Sequence, residues 1–275
     1  MLQVHDAWFG YARDTPVLRG VSLTVPAGGF AGILGPNGSG KTTLLRLLAG
    51  TRRPTRGSVT LDGADLTQVS RAALARRMAV VPQETHPAFE YTVLEIALMG
   101  RYPHLHAFEI EGPDDLSIAR QSLEATGTLA LQDRLFSTLS GGEKQRVVIA
   151  AALAQLGRTR PSNAAHAILL LDEPTAALDL AYQLDVAALL RDLQQRLPLA
   201  IVVSTHDLNF AAGLCSTIVL LKQGEVVASG PVDAVITPDS IRQLYGVEAE
   251  VERRSSTGRL IVVPVSRASE PGGAS

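Results

Sequence analysis

The uncharged run Phe30-Ala-Gly-Ile-Leu34 leads directly into Gly35-Pro-Asn-Gly-Ser-Gly-Lys-Thr42, and that into Thr42-Thr-Leu-Leu-Arg-Leu-Leu-Ala49, closed by Gly50. No other stretch constrains the fold as much. A short apolar run ended by turn residues reads as a buried strand. Leucines at helical spacing before a glycine read as a helix with a left-handed stop. Gly35, Gly38 and Gly40 permit backbone conformations that other residues resist, so consecutive N–H groups can face phosphate oxygens at the positive end of the following helix. An ordinary glycine turn shares part of this pattern. Lys41 adds a mobile cation for β and γ phosphates, however, and Thr42 adds a hydroxyl where Mg2+ would sit.

The rest of the chain supplies a sheet around that unit. Leu2 to Ala7 and Val17 to Val25 read as strands before the turn Pro26-Ala-Gly-Gly29, and Gly57 to Gly63 reads as a strand ending in a turn. Met78-Ala-Val-Val81 is a buried strand stopped by Pro82. Thr92 to about Leu156 changes to helices with polar breaks, an inserted helical subdomain at about residues 90–157. Ala167 to Leu171 and Leu199 to Val203 are strands separated by a helix over Ala176 to Leu197, an alternation that argues for a parallel sheet with flanking helices. Ile218 to Val227 is a hairpin or edge pair. The fold class is therefore α/β, one domain over residues 1–265 with an N-terminal antiparallel β region, and a disordered Ser-, Gly- and Pro-rich tail at 266–275.

Composition narrows the function. A chain of 275 residues that is 46% hydrophobic can bury a large core, and a net charge of −2 argues against holding nucleic acid. The start MLQVHDAWFG has no basic region before an apolar run, and no segment approaches the roughly 18 apolar residues of a membrane span. The expectation is a chain neither exported nor membrane-spanning. The lone Cys215, in an apolar helical stretch, reads as a buried structural thiol.

Three further clusters carry chemistry. Asp172 and Glu173 end the strand Ala167 to Leu171, at the rim where parallel sheets bind ligands. One carboxylate suits the metal and the other an attacking water, although acidic residues also favour helix starts. Leu139-Ser-Gly-Gly-Glu143 precedes a helix: Ser140 and Glu143 form a capping box, and the same helix end, with Gly141 and Gly142, offers a second anion site. His206 follows the strand Leu199 to Val203 and reaches the same rim, though alone it reads as a solvated residue beside a helix cap. His86, His104 and His106 lack a carboxylate or cysteine cluster at ligand spacing and read as solvated surface.

Together these motifs resemble those of the ATP-binding cassette (ABC) ATPases, from Leu2 to about Val263. The likeness rests on the Walker A loop Gly35 to Thr42, Gln83 after the strand at Val81, and the signature Leu139 to Glu143 followed by Lys144-Gln-Arg146. It rests equally on the Walker B run ending at Asp172, Glu173, Asp179 in Ala177-Leu-Asp179, and His206. The resemblance implies a P-loop NTPase cassette with a RecA-like core that binds ATP and Mg2+. Gly35, Pro36, Asn37, Gly38, Ser39, Gly40, Lys41, Thr42 and Thr43 would hold phosphates; Thr42, Gln83 and Asp172 would attend the metal. Glu173 would be the catalytic carboxylate, with Gln83 and His206 assisting, His206 at the γ phosphate. Ser140, Gly141, Gly142 and Glu143 would complete a partner's ATP site, and Asp179 would communicate across the dimer. Tyr11 would stack on adenine, with Trp8 and Phe9 close enough to compete.

A single cassette without a fused membrane domain resembles a separate subunit. The implied partners are a second copy, head to tail, polytopic permease subunits and, indirectly, a substrate-binding protein, with no nucleic acid. The implied place is the cytoplasmic face of the inner membrane. Val80-Val-Pro-Gln-Glu84 with Thr92 to His104 resembles the importer branch serving iron siderophores, haem and cobalamin, and the stretch beyond Gln83 would receive a coupling helix. The polar addition Gly157 to His166 is similar to extensions in haem and cobalamin members. A non-transport ABC ATPase of DNA repair or translation is the alternative; heptad coiled coils or a second cassette would favour it, and neither is visible. A GTPase reading lacks an Asn-Lys-x-Asp motif.

Overall fold

The computed structural model describes residues 1–12, 15–157, 166–176, 178–256 and 258–268. Its centre is a six-stranded sheet ordered β10-β9-β3-β8-β7-β6. These strands are β3 (Phe30–Leu34), β6 (Met78–Val81), β7 (Ala167–Asp172), β8 (Leu199–Thr205), β9 (Thr217–Lys222) and β10 (Glu225–Pro231). All neighbours pair in parallel except β9 with the edge strand β10. The four-stranded sheet β2-β1-β4-β5 is built from β1 (Leu2–Ala12), β2 (Thr15–Val25), β4 (Arg56–Leu61) and β5 (Ala64–Asp65) and is antiparallel. The helices are α1 (Lys41–Leu48), α2 (Arg71–Ala75), α3 (Val93–Met99), α4 (Pro113–Ala125), α5 (Gly141–Leu156), α6 (Leu180–Arg196), α7 (Leu208–Leu214), α8 (Val232–Val235) and α9 (Pro238–Tyr245).

Side chains alternate across a strand, and a sheet covered on both faces needs apolar residues at every position. β7 and β8 are wholly buried. Leu169, Leu171, Ile201 and Val203 pack with α5, α6 and α9 residues such as Ile149, Leu190 and Ile241. Ile168, Leu170, Ala200 and Val202 face the other way, onto Leu44, Leu47 and Leu48 of α1 and onto the antiparallel sheet. The phosphate-loop helix is thereby clamped between two sheets.

The helical lobe has its own small core, in which Val93, Ile96 and Ala97 of α3 meet Leu123 of α4 and Val147 and Ala150 of α5. Capping boxes start both α3 (Thr92 with Glu95) and α5 (Ser140 with Glu143). A buried ion pair, Arg101 Nε to Asp115 Oδ1 at 2.8 Å, locks the loop after α3 to α4, and Arg101 also donates to the Ala154 carbonyl. The lobe is tied to the sheet edge by the Gln155 amide, which donates to the carbonyls of Ala75 and Met78.

Several expectations need correction. The tail does not begin at residue 266: Ser266 and Arg267 lie in β12 (Leu260–Arg267), paired with Glu248 and Val247 of β11 (Val247–Arg253). Residues 269–275 lie outside the described residues, as do most of the Gly157 to His166 addition. The helix expected from Ala176 starts at Leu180, because residues 173–176 form a turn. His104 is not solvated surface; its ring is half-buried, Nε2 sits 2.7 Å from the Gln155 carbonyl, and burial holds its pKa below the usual value. Cys215 is buried at the end of α7, where desolvation pushes its thiol pKa upward.

Candidate nucleotide site

Three loops leave the carboxyl ends of neighbouring strands. β3 delivers residues 35–42, β7 delivers Asp172 and Glu173, and β8 delivers His206. Asn37, Gly38, Gly40, Lys41, Thr42, Thr43, Gln83, Glu173 and His206 line one cleft of about 550 Å³, together with Val17 and Ala176. That volume falls in the range of small-ligand sites.

The cradle is tight where the backbone must turn. A Cβ on Gly35 would strike the Leu221 carbonyl and come within 2.6 Å of Ser39 Oγ, so only glycine fits. Gly38 and Gly40 have φ of 77° and 105°, the left-handed region. Gly38 faces open space. Ser39 N–H donates to the Pro36 carbonyl and the Ser39 carbonyl accepts from Gly224, which holds the loop against the β9–β10 turn. Its buried Oγ has no partner.

Charge is concentrated at one point. The buried Lys41 ammonium donates to the carbonyls of Gly35 (2.8 Å) and Pro36 (3.2 Å) and pairs with Glu173 Oε1 at 3.0 Å. The other oxygen of Glu173 lies 3.0 Å from His206 Nδ1. Glu173 itself has φ of 45°, a conformation costing a non-glycine residue about 1–2 kcal/mol. Its N–H is held by both the carbonyl and the hydroxyl of Ser204, each at 3.1 Å. Ser204 Oγ donates in turn to Asp172 Oδ1 at 2.6 Å. Tyr245 on α9 donates to the His206 carbonyl; burial, reinforced by the charges of Glu173 and Asp207, raises its phenol pKa.

Thr42, Gln83 and Asp172 offer only oxygen donors, which suits a hard divalent cation. Among the described residues, no three His, Cys, Asp or Glu side chains form a group that could hold a metal ion by themselves. A cation here would complete its shell with phosphate oxygens and water, the habit of Mg2+.

Tyr11 does not line the cleft, but its hydroxyl lies 3.3 Å from Thr43 Oγ1 and accepts from Arg46 at 2.8 Å, beside the phosphate-loop helix. The competing aromatics are engaged elsewhere. Phe9 is buried, and Trp8 donates to Asp6 with Arg56 over its ring. The signature is outside the cleft altogether. Ser140 caps α5 through Glu143 N–H while Glu143 Oε2 accepts from Ser140 N–H, and Gly141 and Gly142 pack toward Leu178 and Tyr182 of the α6 region. Asp179 caps α6 from an exposed position without a side-chain hydrogen bond to the helix. Ser204, Val17 and Tyr245 are additions that motif reading missed. The sequence signals only Val17, as the apolar residue that starts the second expected strand; the role of Ser204 emerges from the Asp172–Ser204 register.

Comparison with known proteins agrees with this architecture. Residues 18–176 match the family described as ABC transporter. The hemin import ATP-binding protein HmuV of Gloeobacter violaceus is 42% identical over 93% of this chain and 92% of its own. The ferric enterobactin transport ATP-binding protein FepC of Escherichia coli K12 is 35% identical over 94% and 92%. Among solved structures, an inward-facing metal-chelate-type ABC transporter matches with a TM-score of 0.82 at 30% identity over 96% of both chains. A dimeric bacterial ABC transporter cassette matches with a TM-score of 0.70 at 28% identity, covering 84% of this chain and 99% of that one. By the family match over more than half its length and these identities, the chain belongs to the ABC transporter ATP-binding cassettes.

Proposed function

We propose that this chain is the ATP-hydrolysing subunit of a membrane importer for a metal-bearing chelate, either haem, a ferric siderophore or cobalamin. The reading rests above all on one observation, the convergence of Lys41, Glu173 and His206 in a phosphate-loop cleft that excludes the signature helix. The names of its hemin and enterobactin relatives support the cargo class. No described helix is long and apolar enough to cross a membrane, and in this reading permease subunits provide the path. The proposed place is the cytoplasmic face of the inner membrane, with a substrate-binding protein on the far side.

In this reading the N–H groups of residues 35–42 and the Lys41 ammonium bind the β and γ phosphates of ATP. Bound Mg2+, held by Thr42, Gln83 and Asp172, would neutralise phosphate charge. Glu173 accepts a proton from the attacking water, and His206 steadies the carboxylate and the γ phosphate. Ser140, Gly141 and Gly142 of a second copy close over the same phosphate head to tail, Asp179 lies at the seam, and Tyr11 stacks on adenine. Hydrolysis removes the shared anion and the dimer reopens.

The test is Glu173→Gln. We expect ATP binding to persist, turnover to fall by roughly 10²–10⁴-fold, and an ATP-loaded dimer to accumulate in light scattering. Parental turnover would overturn the assignment. Deletion of the coding sequence should abolish uptake of labelled haem, ferric siderophore or cobalamin, and intact uptake of all three would overturn the cargo class.

A further inference from the structure

The geometry points to Ser204 as the positioning residue that sets the two acidic side chains of the site relative to one another, an inference that rests on the nucleotide reading above. In a straight strand Asp172 and Glu173 would project to opposite faces. Glu173 departs from that extended geometry, because the chain turns into the left-handed region there. That turn carries Glu173 to Lys41 and His206.

Ser204 holds the turn. It is fully buried, it lies opposite Asp172 in the parallel ladder, and every residue before it in β8 is apolar. A hydroxyl has one proton to give and lone pairs to receive with. Here the proton goes to Asp172 Oδ1 at 2.6 Å while the oxygen accepts the Glu173 N–H at 3.1 Å, a bond shared with Ser204's own carbonyl. One side chain therefore fixes the orientation of the metal-attending carboxylate and the backbone angle that aims the catalytic one. A serine at this place does no job for the core, whose positions in the strand are filled by Leu199, Ala200, Ile201, Val202 and Val203.

The experiment compares Ser204→Ala and Ser204→Thr in the full chain. Ala fits the buried position and removes the hydroxyl; Thr keeps it and suits a strand. For Ser204→Ala we expect kcat to fall roughly 10- to 100-fold, each factor of ten being about 1.4 kcal/mol of transition-state energy. The KM for ATP should stay within about twofold and the Mg2+ concentration for half-maximal activity should rise. Ser204→Thr should recover most of the rate. In a Glu173→Gln background Ser204→Ala should lower kcat no further at saturating Mg2+, because its effect on proton transfer runs through Glu173, whereas the rise in Mg2+ requirement, which runs through Asp172, should remain. Parental kcat in Ser204→Ala, no recovery in Ser204→Thr, or a kcat loss matching a loss of folded protein by circular dichroism would overturn the inference. Failure of the nucleotide reading itself shows separately, as neither binding nor hydrolysis of ATP by the parent chain.

Discussion

Alanine at Gly142 should destabilise the protein, whereas alanine one residue earlier should not. Both glycines occupy the first turn of α5, where Gly→Ala ordinarily gains about 0.5–1 kcal/mol of helix stability. At Gly141 the added Cβ would meet only the Cδ2 of Leu178 at 3.3 Å, the tip of a side chain that can give way. At Gly142 it would lie 2.7 Å from Cγ and 3.0 Å from Cε1 of Tyr182, nearer still to Cδ1, so it presses on the body of a ring rather than its end. Carbon atoms prefer about 3.5–4.0 Å, and forcing such an overlap costs about 1–3 kcal/mol. Set against the helix gain, Gly142→Ala should lose about 1–2 kcal/mol and Gly141→Ala should be neutral or slightly stabilising. For a chain of this size that is a Tm fall of roughly 2–8 °C against a change of zero to a small rise. The assay is thermal unfolding by circular dichroism without nucleotide, so that ligand linkage does not intrude. Tyr182→Leu should recover part of the loss in the double variant, with a coupling of at least about 0.5 kcal/mol. Equal Tm values for the two alanine variants, or strict additivity with Tyr182→Leu, would refute the packing argument.

Asp115→Ala leaves the Arg101 guanidinium buried without its carboxylate and should destabilise the helical lobe by about 3 kcal/mol, seen as an earlier transition in urea. Burial opposes ionisation of Asp115, but hydrogen bonds from Arg101 and the Gly112 N–H with the Arg101 charge outweigh it and hold the pKa below the usual carboxylate range. A depressed folded pKa means this stability is complete above the unfolded pKa near about 4 and disappears as pH falls through the folded value. The parent's acid unfolding should therefore steepen below pH of about 4, and Asp115→Ala should lack that component. Lys41→Ala and Ser140→Arg should each hydrolyse ATP poorly alone. Mixed one to one they should regain up to about a quarter of the parental rate, because random pairing makes about half the dimers mixed, each with one intact site of two. No rescue would count against head-to-tail assembly.

The strands of the central sheet were legible because burial on both faces leaves nothing but apolar residues, as in Ala167 to Leu171 and Leu199 to Val203. The C-terminal hairpin was not. β11 reads Val-Glu-Ala-Glu-Val-Glu-Arg and β12 ends in Ser266 and Arg267, compositions that resemble solvent-exposed chain. Ladder hydrogen bonds join main chains, so a strand forms there without an apolar side chain to announce it. His104 escaped for a related reason: its partner is a carbonyl on α5, far away in the sequence. Within the site, the phosphate loop, Asp172, Glu173 and His206 could be read because each ends a predicted strand, and the cleft gathers Glu173, His206 and the loop apart from Gly35, Pro36 and Ser39, but not the buried Asp172. Ser204 could not, since its role exists only once β7 and β8 are set in register.

Sheet order also supports the proposal that a second copy completes the site. β3, β8 and β7 are consecutive neighbours, spaced about 4.8 Å apart, so loops separated by more than a hundred residues in sequence reach one rim. The signature belongs to the lobe inserted between β6 and β7, and β6 is the sheet's edge. Gln155 fastens α5 to the carbonyl of Met78 on that edge strand, and Arg76 fastens the segment before it to the Pro103 carbonyl. Bringing Ser140 to its own chain's Lys41 would break these bonds and the packing of Ile149 and Leu153 against the sheet. The α5 end is thus capped and held on the lobe, with Gly141 exposed, apart from its own chain's phosphate cradle. In the proposed head-to-tail dimer, two copies related by a twofold axis would satisfy both needs at once, each giving its helix end to the other's cleft, and a closed interface of this kind would stop at two.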